Sequence, residues 1–271
     1  MPAQASRPHP VDAGFTTRAV DPTVNSLPPG YRGQSLDSVI AKLEERHKAR
    51  EKDEYETEAE FKARIAALPE KPLVGRLTLA DSFAFSFAKG EPGSKPNLEA
   101  QYDADAEVFR LRLGTDGVRE KDGSVVADDF FLGVCSESWH EGESYTGVNG
   151  FGAKATIRPV MLLRRCLRFP RKMLLDDARG HLEPETLDLT FRVAVPRAEA
   201  RATSGDFRVL FLGKIVSEAV LSRYDGAKPT IQSPLDLTEA TEYVKFLPEQ
   251  VWVYNGRTGR IYYRSTVSMA R

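Results

Sequence analysis

The sequence predicts an α+β fold in which N-terminal amphipathic helices pack on an antiparallel β-sheet or partly closed barrel. Three observations carry this reading. Amphipathic helical periodicity marks residues 34–69, alternation of period two dominates 72–264, and strands do not alternate regularly with long helices. The chain has 271 residues, 41% of them hydrophobic and 28% charged, which suffices for one domain with a sizeable core. Its 38 basic and 39 acidic side chains exclude a globally basic nucleic-acid coat and an acidic disordered tail. No run approaches the roughly 20 apolar residues with which a helix crosses a bilayer.

Residues 1–33 read as a flexible Pro-rich arm, because six prolines crowd the first 30 residues and Phe15 is the one aromatic there. A single α+β domain is expected over 34–271, with a helical pair at 34–69 and a β-rich part at 72–264. Leu36, Val39, Ile40 and Leu43 share one helical face, which places a first helix from Ser35 to about Lys52. Thr57 with Glu60 three residues on is a capping box, so a second helix starts there and stops at Pro69. Alternation then marks strands at Leu73–Ala80, at Phe83, Phe85 and Phe87, and at Val108–Leu113, where Arg110 and Arg112 point outward. The last two are expected to be antiparallel neighbours. Further strands are expected at Val125–Val134, Lys154–Leu163, Leu187–Val195, Arg208–Val216, Val251–Tyr254 and Arg260–Arg264, the last pair forming a bulged hairpin around Asn255–Gly259. Short helical pieces are expected at Arg171–Arg179, Pro196–Arg201 and Leu237–Phe246.

Several segments resemble a group of uncharacterised bacterial proteins. These are Asp53–Arg64 with its Glu-Thr-Glu-Ala-Glu-Phe-Lys-Ala-Arg core, Tyr102–Asp105, Tyr145–Gly152, and Val251–Asn255 with Thr258–Gly259. The resemblance spans most of residues 31–264 and implies a fold neighbourhood without an activity. Members often begin with an export signal, which implies an internal start here and a periplasmic or envelope-associated protein. Ala3-Gln4-Ala5 before Ser6 has the small-x-small shape of a signal-peptidase site. Taken literally, the opening MPAQASRPHP has no basic and apolar leader and reads as cytoplasmic. The two cysteines, Cys135 and Cys166, suit a bridge in an oxidising compartment or two buried thiols in a reducing one.

Several segments combine residue types that could carry chemistry with patterns that plain structural roles also explain. Asp103-x-Asp105-x-Glu107 has the alternating carboxylates of a calcium loop, but Val108 and Gly114 stand where that loop needs Gly and Glu, so a capped turn is the expectation. Gly147-Val-Asn-Gly150-Phe-Gly152 lacks the spacing of a dinucleotide or phosphate loop and reads as a tight turn. Cys135, Glu137 and His140 are the outside candidates for a hydrolase, with Asp128 or Asp129 to orient the imidazole. Glu137, His140, Glu141 and Glu143 are the metal-assisted variant, yet no GxSxG or HExxH signature is present and residues 135–143 read as a polar surface loop. No metal site and no cofactor are assigned.

Charge is uneven along the chain. Residues 98–143 carry 12 acids and four bases, whereas 154–172 carry seven bases and no acid. These segments either neutralise each other within the fold or leave a basic face for an anion. The expected contact surface is Arg158, Arg164, Arg165 and Arg168 with Trp139, and the expected partner is an anionic envelope ligand or a protein, with nucleic acid the weaker alternative. The expected function is therefore a non-enzymatic binding or structural accessory protein of the bacterial cell envelope, with a hydrolase centred on 135–143 as the alternative.

Overall fold

A computed structural model describes residues 14–88, 94–95, 98–114, 130–170, 172–183, 188–216 and 220–269. The first helix, α1 (Leu36–Lys48), begins where the Ser35 hydroxyl accepts from the Ser38 amide. Its apolar stripe, Leu36, Val39, Ile40 and Leu43, is buried in the main core. The second, α2 (Glu58–Ala67), opens on the capping box: Glu60 N–H donates to the Thr57 hydroxyl and Thr57 N–H to the Glu60 carboxylate. No residue of α2 is fully buried; its Arg64 instead grips Glu56 through two 2.7 Å hydrogen bonds.

The strands in chain order are β1 (Phe83–Ala88), β2 (Ser94–Lys95), β3 (Leu98–Asp103), β4 (Val108–Leu113), β5 (Phe130–Glu141), β6 (Tyr145–Val148), β7 (Lys154–Pro170), β8 (Met173–Leu175), β9 (Gly180–Leu182) and β10 (Leu189–Ala194). A short helix α3 (Arg197–Thr203) precedes β11 (Phe207–Ile215), β12 (Leu221–Ala227), β13 (Leu235–Asn255) and β14 (Ile261–Met269). They form an α+β architecture of two sheets that do not close into a barrel. The larger runs β1-β11-β13-β7-β5-β2 with β12, β14, β6 and β8 attached, and the smaller runs β3-β4-β10-β9.

The axis of the large sheet is β13. Along one edge it meets β12 and then β11, both antiparallel; along the other it meets β7 in parallel over 235–245 and β14 in antiparallel over 250–254. Both faces of its C-terminal half are covered, so Val251, Trp252, Val253 and Tyr254 are all buried and the run does not alternate. Phe211, Val253 and Tyr263 join the inward residues of the small sheet, Phe109, Leu111 and Phe191, in the main core. On the opposite face Leu210, Trp252 and Tyr254 pack against Leu27 and Tyr31.

Residues 14–33, read above as part of a mobile arm, lie along that second face. Leu27 N–H donates to Gly259 O, Gly30 N–H to Gly256 O, and the Tyr254 hydroxyl to Tyr31 O. The Arg264 guanidinium donates to the carbonyls of Pro22 and Val24 while its centre lies 4.1 Å from the Trp252 ring.

Several sequence expectations are corrected. The segment 237–246 is strand, not helix, because β7 and β12 bond both its edges and Thr238, Thr241, Tyr243 and Val244 suit a pleated surface. Residues 73–80 are turns with a lone Val74–Leu77 bridge among the described residues, and Leu73 and Leu77 are buried in the main core. Residues 173–175, expected in a helix, are β8. Strand β1 pairs with β11 rather than with β4, which lies in the other sheet. The expected strand at 125–134 lies partly outside the described residues, and β5 continues through 135–141, the stretch read as a loop.

Candidate binding surface

A long ribbon grows out of the large sheet. Strands β5 and β7 pair from Phe130 opposite Pro170 to Glu141 opposite Val160, and β6 continues the ladder from Tyr145 opposite Ile157 to Val148 opposite Lys154. The break at 142–144 is bridged by Gly142 N–H donating to Pro159 O. At the tip the Asn149 side chain accepts from the amides of Phe151 and Ala153, and Gly152 takes φ +81°, a conformation open to residues without a Cβ. At Gly147 a Cβ would come within 2.2 Å of Ile157 Cδ1, so a larger residue there would displace that side chain. The turn held by Asn149 and Gly152 presents Phe151 to solvent, 98% exposed.

Opposed residues of antiparallel strands share a face, which decides what the ribbon brings together. One face carries Cys135, Glu137 and Trp139 with Cys166, Arg164 and Leu162; the other carries Ser138 and His140 with Leu163 and Met161. Arg164 donates to Glu137 at 2.8 Å and lies 3.9 Å from Glu239. On the other face Arg165 donates to Glu242 at 2.8 Å and reaches Asp37 of α1 at 3.4 Å. Burial pushes the Arg165 pKa down, but the Glu242 hydrogen bond and the Asp37 charge outweigh it and hold the pKa above the ordinary arginine value. Arg168 is buried, with its guanidinium 5.0 Å from the Tyr243 ring centre. Thus Arg164 and Arg165 meet carboxylates of the flanking strands, and Arg158 alone of the four arginines is exposed.

The residues considered for hydrolysis are separated by the same geometry. Cys135 is bonded to Cys166 directly across the ladder, so it presents no thiolate. Glu137 is held by Arg164 on one face while His140 stands exposed on the other, its Nε2 3.1 Å from the Ser138 hydroxyl. That contact joins two neighbours on one strand face, and no carboxylate is bonded to the remaining imidazole nitrogen among the described residues. Asp128 and Asp129 lie outside the described residues. Among the described residues no group of three or more metal-ligating side chains converges.

What the outer ribbon does present is apolar surface. Trp139 is 58% and Val148 60% exposed, and Tyr145, Met161 and, on the adjoining 228–234 loop, Ile231 are exposed as well. Tyr145 is oriented by a 3.0 Å hydrogen bond to Asp236, which together with burial raises its pKa. From Ser144 to Arg158 the chain carries Lys154 and Arg158 and no acid. Sequence reasoning named Trp139 and Arg158 but missed Tyr145, Val148, Phe151 and Met161. The available signal was Phe151 between Gly150 and Gly152. No helix of the described residues is long and apolar enough to cross a membrane.

No family model, curated protein or solved structure matches the chain. The functional reading therefore rests on the residues themselves.

Proposed function

We propose that the protein is a non-enzymatic accessory of the bacterial cell envelope that docks on an anionic lipid surface through the tip of its β5–β7 ribbon. The carrying observation is Phe151, almost fully exposed at the apex of an ordered turn, with Val148 beside it and Lys154 and Arg158 behind. An apolar apex followed by cations matches the layering of an anionic bilayer, where acyl chains lie beneath charged headgroups. The Cys135–Cys166 disulfide supports an oxidising compartment.

Vesicle cosedimentation tests the reading. Wild-type protein should bind vesicles containing anionic phospholipid, bind neutral ones more weakly, and lose affinity as salt screens Lys154 and Arg158. Phe151→Asp should weaken binding by tenfold or more, since burying a phenyl ring contributes about 1.5–3 kcal/mol. Equal binding by wild type and Phe151→Asp, or no binding to anionic vesicles at low salt, would end the proposal.

His140→Ala separates this reading from the hydrolase. The substitution should leave vesicle binding and thermal stability unchanged, because His140 is exposed and bonded only to Ser138 among the described residues. A hydrolytic activity of the wild type that His140→Ala abolishes would favour the alternative.

A further inference from the structure

The outward face of the small sheet holds a second feature, distinct from the ribbon. Its inward face, with Phe109, Leu111, Phe191 and Val193, is buried in the core. The other face forms a shallow groove of about 470 Å³ lined by Gln101, Arg110, Arg112, His181, Thr190 and Arg192, among others. In the register of β4 and β10, Arg110 lies directly opposite Arg192. Arg192 N–H donates to Arg179 O, on the side away from β4, so the Arg110–Arg192 pair is the non-hydrogen-bonded kind whose side chains approach most closely. Like charges directly opposed across strands are destabilising.

The neighbouring carboxylates relieve this only on the Arg110 side. Asp188 and Glu99 are drawn to Arg112, and Glu183 to His181 at 2.6 Å. Asp103 reaches Arg110 at 3.3 Å. Arg192 has no side-chain hydrogen bond or ion pair among the described residues. Gln101 lies opposite Arg110, and Thr190 opposite Arg112, so an amide and a hydroxyl flank the two guanidinium groups on the same face.

The geometry points to a binding site for a phosphoryl group, a phosphomonoester or inorganic phosphate, bridged by Arg110 and Arg192 with Gln101 as a further donor. Guanidinium forks match phosphate oxygens, and a dianion neutralises two opposed cations where a carboxylate neutralises one. The site lies on the other sheet from the ribbon and does not depend on it.

Calorimetric titration tests it at constant ionic strength, with inorganic phosphate, glycerol 3-phosphate and phosphatidylglycerol vesicles as separate probes. Soluble phosphates should bind wild type, and Arg192→Gln or Arg110→Gln should weaken that binding at least tenfold, whereas Arg158→Gln should not. Binding of vesicles alone, with no response to soluble phosphates, would overturn the proposal. A second readout guards against a folding effect. In chloride without phosphate, Arg192→Gln should raise the thermal midpoint, because it removes one of two opposed like charges. A lowered midpoint, or equal phosphate affinity in wild type and Arg192→Gln, would show that Arg192 is only a solvated or structural side chain.

Discussion

Removing the disulfide by the double substitution Cys135→Ala/Cys166→Ala is expected to lower unfolding stability by about 3.5 kcal/mol, on the chain-entropy account of a cross-link between residues this far apart. The bond joins two positions 31 residues apart in sequence and clamps β5 to β7 at the root of the ribbon. Both sulfurs are buried and Tyr243 packs against them, so the variant also loses contacts that water does not replace. The loss is a large fraction of the roughly 5–15 kcal/mol that holds a typical domain folded. Urea unfolding of the two proteins measures it, and a difference below about 1 kcal/mol would show that strand pairing alone holds the ribbon's root. Vesicle binding by the folded variant should persist, since the turn at 149–153 is fixed by Asn149 rather than by the disulfide. The same bond bears on compartment. Protein isolated from its native cell should show no titratable thiol even after denaturation. Two free thiols in that assay would remove the support for an oxidising environment.

Legibility from sequence followed the locality of the forces. Helix α1 and the α2 cap were readable because Ser35, Thr57 and Glu60 act on amides within three residues. Strands β4, β7, β10 and β11 announced themselves by alternation or by β-branched and aromatic runs. The failures lie where partners distant in sequence decide. Leu237–Phe246 has leucine, alanine and valine at helical spacing, and only the flanking β7 and β12 make it a strand. The parallel register that sets Glu242 beside Arg165, and brings Glu239 near Arg164, is equally invisible along the chain, so the seven bases of 154–172 could be read as a free face or as internal partners. The polar composition of 135–141 suggested a loop because the surroundings of β5 change along its length: Glu137 pairs with Arg164 of the neighbouring strand, while Trp139 and His140, on opposite faces, are both exposed. The Arg110–Arg192 opposition could not be seen at all before β4 and β10 were paired.

Two phenylalanines separate core from contact surface. Phe211 of β11 is fully buried, with ring centroids 4.7 Å from Phe169 of β7 and 6.0 Å from Phe87 of β1. Phe169 in turn lies 6.2 Å from Phe246 of β13, so these rings tie together the strands from which the ribbon departs. Phe211→Ala should cost about 3–5 kcal/mol, the transfer free energy of the ring plus a cavity that four close-packed strands cannot collapse. Its unfolding midpoint in urea should fall sharply with little change in slope, and a cost under about 1.5 kcal/mol would mean that the cluster relaxes to fill the space. Phe151→Ala should change stability by no more than about 0.5 kcal/mol, because its ring touches almost nothing in the folded chain. Folding therefore accounts for Phe211 and not for Phe151. If Phe151→Ala leaves stability unchanged and still weakens vesicle binding, the cause lies in what the ring meets outside the protein. If it destabilises the fold as Phe211→Ala does, the tip is part of the core and the docking role fails.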